Sequence, residues 1–194
     1  LNVLMTFDPV IPEAYQNCSF LMLGNLMPAI QIKVMERLQN RPRLIVMDTM
    51  NFWMDTAMAD LAKAISLVDV LTINDAEARQ LSGEYSLVKA AQKILKMGPK
   101  YLIIKKGEHG ALLFNSEQVF FAPALPLEDV FDPTGAGDTF AGGFIGFLAR
   151  TKDVSFENTE KYEVIFVLTM SFEKFTTKSH EVFFNSSRGF HNVS

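Results

Sequence analysis

Residues 132–144 read DPTGAGDTFAGGF. Gly135, Ala136 and Gly137 place almost no side chain ahead of an acid, Asp138, and an apolar stretch that predicts a helix follows. The start of a helix leaves about four backbone N–H groups without partners and carries partial positive charge, so an anion such as phosphate can bind there when small residues leave the approach open. Asp138 would then lie beside the anion, where a carboxylate can accept a proton from an attacking hydroxyl.

Simpler explanations of this motif stay open at the level of the residues. The glycines can serve only the turn, and an acid in the first turn of a helix is favourable by about 0.3–1 kcal/mol through its charge alone. Gly142, Gly143 and Gly146 can let the helix pack close to a sheet. The motif is not a Walker A loop, because G-x-x-x-x-G-K-[ST] occurs nowhere in the chain.

Upstream of the motif, short apolar runs alternate with stretches that have helical spacing. The runs FLMLG (20–24), RLIVMD (43–48), DVLTIN (69–74) and YLIIKK (101–106) have the composition of buried parallel strands. The helical stretches are PAIQIKVMERLQ (28–39), DTAMADLAKAISL (55–67) and SLVKAAQKILKM (86–97). This alternation predicts an α/β fold with helices on both faces of a mostly parallel sheet.

The alternation of strands and helices ends after residue 106. ALLFN (111–115) and QVFFAP (118–123) predict an antiparallel hairpin at an edge of the sheet, and the helix that opens in the motif is expected to run to about Arg150. The chain is long enough for one domain with a substantial core, and it contains no internal repeat or low-complexity segment, so a single domain over 1–194 is predicted.

The composition excludes several classes of partner. The chain has 194 residues and a formal net charge of −4, which argues against nucleic acid or an anionic membrane as a partner. No apolar segment approaches the roughly 18 residues of a membrane span. The single cysteine, Cys18, permits no internal disulfide and favours a reducing, cytoplasmic compartment.

The motif DPTGAGDTFAGGF resembles the second signature of the PfkB carbohydrate kinase family. MDTMNFWMD (47–55), INDAEARQLSG (73–83) and IIKKGEHGALLF (103–114) extend the resemblance, in the order expected for the family. The resemblance implies a ribokinase-like three-layer αβα sandwich with a mostly parallel, doubly wound sheet. It also implies a kinase that uses ATP and Mg²⁺ to phosphorylate an alcohol group of a small molecule, with a sugar as the first expectation and an adenosine-like nucleoside as the alternative.

The resemblance assigns roles around the motif. Asp138 matches the catalytic base of the family, and the backbone amides of Gly135, Ala136 and Gly137 match the anion hole that stabilises the moving phosphoryl group. Asp132 and Thr134 lie in the loop where the nucleotide phosphates and, in many relatives, a monovalent cation are bound.

The resemblance also assigns roles upstream. Asn74 and Glu77 match an N-x-x-E element that contacts phosphate and magnesium, usually through water, although the same spacing is that of a helix capping box. Lys106, Gly107 and Gly110 match a segment near the nucleotide, for which a turn into the hairpin is the alternative explanation. From their position after a strand, Asp48 and Asn51 either line the site or belong to a solvated loop.

Two departures from the family pattern leave a second interpretation open. Asp138 supports an active enzyme, whereas the departures support a non-catalytic remnant that binds nucleotide. Residues 1–10 correspond to the end of the lid and substrate region, so most of that region and a partner for the first strand are missing from this sequence. Residues 151–194 are atypical, because VIFVLTMSF (164–172) is bulky where small residues are expected near the adenine. Relatives often form homodimers through the lid, and a homodimer is therefore a further expectation.

Overall fold

The computed structural model describes residues 6–124 and 135–161. Its centre is one mixed sheet of six strands that neighbour one another in chain order. These are β1 (Phe20–Leu23), β2 (Leu44–Asp48), β3 (Val70–Asn74), β4 (Tyr101–Lys105), β5 (Ala111–Phe114) and β6 (Val119–Ala122). The pairs from β1 to β4 are parallel, whereas β5 and β6 form an antiparallel hairpin beyond β4. The four predicted strands and the hairpin at the sheet edge are therefore confirmed.

Six α-helices accompany the sheet in the part of the chain that the structure describes. They are α1 (Pro28–Glu36), α2 (Asn51–Thr56), α3 (Met58–Leu67), α4 (Asp75–Ser82), α5 (Leu87–Leu95) and α6 (Ala136–Thr151). A short helical stretch follows at 156–161. Pro28 opens α1 at the first helical position, where its missing N–H costs nothing. In the described ranges, no helix combines the length and the apolar character that a bilayer crossing needs.

The sheet separates two apolar cores. On one face, buried residues such as Leu61, Ile65 and Ile94 bring α1 to α5 against Ile45, Leu71 and their neighbours. On the other face, Phe140, Phe144 and Leu148 of α6 pack against Val46, Val70 and Ile103. Because the strands are buried on both faces, their sequences are continuously apolar rather than alternating. This arrangement is the predicted three-layer αβα sandwich.

A buried carboxylate holds the amino ends of the central strands together. The side chain of Asp69, only 4% exposed, lies just before β3 and forms ion pairs with Arg41 and Lys100 at 3.0 and 3.3 Å. It also accepts a hydrogen bond from the backbone N–H of Ile45 at 3.0 Å. Three donors from three segments compensate the cost of burying this charge.

The predicted helix over 55–67 is wrong in one respect, because the structure contains two helices that meet at Ala57. Ala57 has φ −146° and ψ 38°, which ends α2 and begins α3. The two helices contact different neighbours. In α2, the indole Nε1 of Trp53 donates to Oδ1 of Asn25 at 2.9 Å, whereas α3 packs on α1 and buries Leu61.

The expectation that the later glycines of the motif allow α6 to approach the sheet is also wrong for two of them. Gly142 and Gly146 are exposed, and a Cβ atom at either position would meet no atom of residues 6–124 or 135–161 within 4 Å. The side chains that face the sheet are instead large, chiefly Phe140 and Phe144. Close approach is needed at Gly137, in the first turn of α6.

Candidate functional site

The first turn of α6 has the features of an anion-binding helix terminus. Gly135 precedes the helix with a φ of 77°, a left-handed conformation that glycine adopts without strain, and no side chain of the described residues caps the helix. The first intrahelical bond runs from the N–H of Thr139 to the carbonyl of Gly135 at 2.9 Å. The amides of Ala136, Gly137 and Asp138 therefore precede the hydrogen-bonded ladder.

Asp138 lies in this first turn with an exposed side chain. No ion pair with the rest of the described chain involves it. The carboxylate is therefore accessible beside the amides of the first turn, as a general base must be.

A buried ion pair lies directly beneath Gly137. The ammonium of Lys105 donates to Oδ1 and Oδ2 of Asp48 at 3.2 and 3.3 Å. A Cβ atom at position 137 would lie 3.1 Å from Nζ of Lys105 and 3.8 Å from Oδ2 of Asp48. Glycine at this position thus leaves the ammonium uncovered towards the first turn of the helix.

Strand geometry explains why these groups meet. Side chains alternate between the two faces of a strand, so Asp48 shares the face of Val46, and Lys105 shares the face of Ile103. Val46 and Ile103 belong to the core beneath α6. Asp48 and Lys105 are the last residues of β2 and β4, and Asn74 is the last residue of β3 between them. Parallel strands end at the same edge, so Asp48 and Lys105 meet at the start of α6, and Asn74 ends the strand between them.

Other polar groups hold Asp48 in place. The N–H of Thr49 donates to Oδ1 of Asp48 at 3.0 Å. The amide nitrogen of Gln31 donates to the carbonyls of Gly24 and Asp48 at 2.7 and 3.2 Å, which ties the end of β1 to the end of β2. Asp48 is thus a buried, fixed carboxylate, and the alternative of a solvated loop is wrong for this residue.

Asn74 and Glu77 form the capping box that their spacing permits. The N–H of Glu77 donates to Oδ1 of Asn74 at 2.8 Å, and the N–H of Asn74 donates to Oε2 of Glu77 at 2.7 Å. The box fixes the start of α4 at the end of β3. Burial raises the pKa of Glu77, and the nearby charge of Asp48 acts in the same direction, whereas the Asn74 N–H and Lys105 lower it.

The charge of Lys105 therefore acts on the carboxyl group of Glu77. The second carboxylate oxygen of Glu77, Oε1, has no hydrogen-bond partner within the described residues. An acceptor of this kind suits a water molecule held by a magnesium ion. A group of three or more His, Cys, Asp or Glu side chains able to hold a metal directly is not found in 6–124 or 135–161.

The turn after β4 has a clear structural role. Gly107 and Gly110 both have positive φ, at 56° and 89°. A Cβ atom at Gly110 would approach the carbonyl oxygen of Ala122 to 1.9 Å, so only glycine fits against β6. The ammonium of Lys106 lies 5.4 Å from the ring centroid of Phe121, over the hairpin. These contacts support the turn interpretation, and a role at the nucleotide stays a prediction.

The structure does not bring every predicted residue to this site. Asp132 and Thr134 lie outside the described residues, as do 1–5 and 162–194. Asn51 is the exposed first residue of α2 rather than the end of a strand.

The comparison with known families agrees with this geometry. Residues 7–156 match the pattern of the pfkB family carbohydrate kinases. The chain belongs to this family. The match spans β1 to α6 and includes the polar strand ends, the capping box and the glycine-rich helix start. The resemblance read from the motifs is thereby confirmed.

Named relatives of this PfkB chain are small-molecule kinases. The cytidine kinase of Thermococcus kodakarensis is 32% identical over 143 residues, which cover 72% of the chain and 51% of that kinase. A crystal structure of aminoimidazole riboside kinase from Salmonella enterica, complexed with aminoimidazole riboside and an ATP analogue, superposes with a TM-score of 0.64 at 25% identity. It is covered over 53% of its length, and 76% of the chain is matched.

The fold is equally close to that of a ribokinase. The crystal structure of ribokinase from Thermotoga maritima has a TM-score of 0.61 at 26% identity, over 79% of the chain and 49% of the ribokinase. The PfkB chain therefore spans about half the length of these relatives.

Sequence reasoning missed Lys105 and attached importance to its neighbour Lys106. Lys105 is the last residue of β4 and shares the face of Ile103, whereas Lys106 follows the strand and lies over the ring of Phe121. Both faces of β4 are apolar, which hides the alternation that would have identified the inner lysine. Lys105 could have been identified from the sequence because β2, β3 and β4 each end in a polar residue.

Proposed function

We propose that the chain forms the phosphoryl-binding part of an ATP-dependent phosphotransferase that phosphorylates an alcohol group of a sugar. The observation that carries this proposal is the start of α6. There, a left-handed glycine, amides ahead of the hydrogen-bonded ladder and an exposed carboxylate lie together at the carboxyl ends of parallel strands. Membership of the pfkB family and the named kinases among the relatives support it.

Each element of this terminus has a role in phosphoryl transfer. Asp138 accepts the proton of the substrate hydroxyl while that oxygen forms a bond to the γ-phosphorus and the bond from the γ-phosphorus to the bridging oxygen of ADP breaks. The amides of Gly135, Ala136 and Gly137 stabilise the charge of the moving phosphoryl group, and the helix dipole adds to their effect.

Asn74 and Glu77 are the residues that we expect to hold magnesium, through water. The buried carboxylate has an oxygen that is not used by the capping box among the described residues, and it can accept a hydrogen bond from a coordinated water. Magnesium, when bound, neutralises charge on the phosphates. Lys106, Gly107, Gly110, Asp132 and Thr134 remain our candidates for the nucleotide and for a monovalent cation.

A nucleoside is the second candidate substrate. The observation that favours it is the 32% identity to a cytidine kinase over 72% of the chain. The third candidate is a remnant that binds nucleotide without turnover. We further propose a cytoplasmic location, from the single cysteine, and a homodimer.

Asp138→Asn tests the proposal. The purified chain is incubated with MgATP and a panel of sugars and nucleosides, and phosphorylated product is measured. We expect product from at least one acceptor and a loss of about 10²–10⁴-fold in rate for Asp138→Asn, because the amide cannot take up the proton. Asp60→Asn is the matched control, since Asp60 is also an exposed acid in the first turn of a helix.

The outcomes separate the candidates. Product only from nucleosides favours the nucleoside kinase. Binding of nucleotide with no product from any acceptor favours the remnant. Turnover that Asp138→Asn leaves unchanged contradicts the assignment of the base.

A further inference from the structure

The ion pair between Lys105 and Asp48 has no role in the function proposed so far, and its burial is unusual. The side chains are 20% and 7% exposed. The other lysines in ion pairs of the described chain, Lys33, Lys63, Lys93 and Lys100, are 48–73% exposed. Burying two charges is costly, and an apolar pair of similar volume is often equally stable or more stable. Stability alone therefore gives little reason for this pair.

The location of the cation is unfavourable by itself. A positive charge near the start of a helix meets the positive end of the helix dipole. Lys105 lies 3.1 Å from the position that a Cβ of Gly137 would take, in the first turn of α6. Asp48 offsets this repulsion in the free protein. A bound anion at the same place would interact favourably with the lysine, the amides and the dipole together.

The geometry leaves the ammonium able to take such a ligand. Two of the hydrogen bonds of Lys105 go to the two oxygens of Asp48, and an ammonium has three donors. Gly137 places no side chain between the ammonium and the first turn of α6. The N–H of Thr49 also donates to Oδ1 of Asp48, so Asp48 can keep its position when Lys105 takes a further partner.

We propose that Lys105 contacts the transferred phosphoryl group at the start of α6, and that Asp48 positions the ammonium and neutralises it when no phosphate is bound. This inference rests on the proposed function and adds a residue to it. The lysine would stabilise the negative charge on the phosphoryl oxygens from the sheet side, while the amides act from the helix side. In the proposed reaction it gains and loses no proton.

The test compares two nucleotides that differ in the γ-phosphoryl group. Affinities for MgAMP-PNP, a non-hydrolysable ATP analogue, and for MgADP are measured by isothermal titration calorimetry. Lys105→Met removes the charge at similar volume. We expect it to lower the affinity for MgAMP-PNP by about 10–100-fold and to change the affinity for MgADP by less than about 3-fold. Lys100→Met is the control, because Lys100 also pairs with a buried aspartate, Asp69, at the opposite end of the sheet.

Two further variants separate a phosphate contact from a structural role. Asp48→Asn leaves the lysine charge unopposed, so we expect MgAMP-PNP affinity to be kept or increased. The double variant Asp48→Asn/Lys105→Met carries a neutral pair that avoids an isolated buried charge, and thermal unfolding confirms that it is folded. We expect it still to lose the preference for MgAMP-PNP.

Each outcome decides a specific statement. If Lys105→Met lowers the affinities for MgAMP-PNP and MgADP equally, and the double variant restores both, the ion pair has only a structural role and the inference is overturned. An unchanged preference in Lys105→Met would also overturn it, while the proposed function stands. A wild-type chain that binds neither nucleotide overturns the proposed function itself, and the inference with it.

Discussion

Glu77 experiences two opposing influences on its charge. Its burial and the neighbouring Asp48 favour the neutral acid and raise its pKa, while the N–H of Asn74 and the ammonium of Lys105 favour the carboxylate. The net shift is upward, so ionising Glu77 costs more free energy in the folded protein than in the unfolded chain.

A pH dependence follows from this shift. Between the unfolded and the raised folded pKa, the native state binds more protons, so the stabilisation from Glu77 is complete below the unfolded pKa and is lost as pH rises through the folded pKa. Glu77→Gln keeps a capping-box side chain but does not titrate. We expect the stability of Glu77→Gln relative to wild type to increase as pH rises from about 4 to about 7, measured by urea unfolding without magnesium.

Glu84 provides a control of opposite sign. A hydrogen bond from Lys93 lowers the pKa of Glu84, so its stabilisation is present above the unfolded pKa and is lost as pH falls. Over the same rise in pH, Glu84→Gln should lose stability relative to wild type. A flat difference for Glu77→Gln would contradict the raised pKa.

At the scale of elements, the sequence predicts what depends on local composition. Runs of branched residues bounded by polar residues identify β1 to β4, and the short polar turn identifies the hairpin. The helix start at Ala136 follows from the glycines and Asp138. These features are predictable because the residues that cause them lie within one turn or strand.

What the sequence does not predict depends on contacts between elements. No glycine or proline marks the break at Ala57 in the sequence. The helices on its two sides, α2 and α3, contact different neighbours, which only the folded structure shows. The pairing of Lys105 with Asp48 joins residues 57 positions apart. Gly142 and Gly146 lie on an exposed face of α6, where local sequence suggested contact with the sheet.

The exposed glycines of α6 give a prediction for that helix. A glycine inside a helix costs about 0.5–1 kcal/mol relative to alanine. Because a Cβ at Gly142 or Gly146 meets no described residue within 4 Å, Gly142→Ala and Gly146→Ala should each stabilise the chain by about 0.5–1 kcal/mol in urea unfolding. Gly137→Ala is the contrast, since its Cβ would lie 3.1 Å from Lys105 and it should show no such gain. Destabilisation by Gly142→Ala would show that another segment occupies this face.

At the scale of the molecule, the two edge strands of the described sheet, β1 and β6, differ in character. The hairpin of β5 and β6 covers one side, and β6 alternates between exposed and more buried residues, as an antiparallel edge commonly does. β1 lies at the other edge of the described sheet and is a parallel strand with apolar residues towards both faces. An edge strand offers unpaired N–H and C=O groups to another chain, and β1 carries no charged side chain that would oppose such pairing.

We therefore expect this chain to associate with copies of itself through β1, and the association should increase with concentration. Leu21→Lys places a charge on the edge strand and should shift sedimentation velocity profiles towards the monomer. Val88→Lys adds the same charge at an exposed site on α5 and should leave the association unchanged, which separates an edge effect from general charge repulsion. Circular dichroism checks that both variants stay folded. A wild-type chain that stays monomeric over the whole concentration range, or equal effects of the two variants, would rule out β1 as the contact, and the homodimer would then need a surface away from this edge.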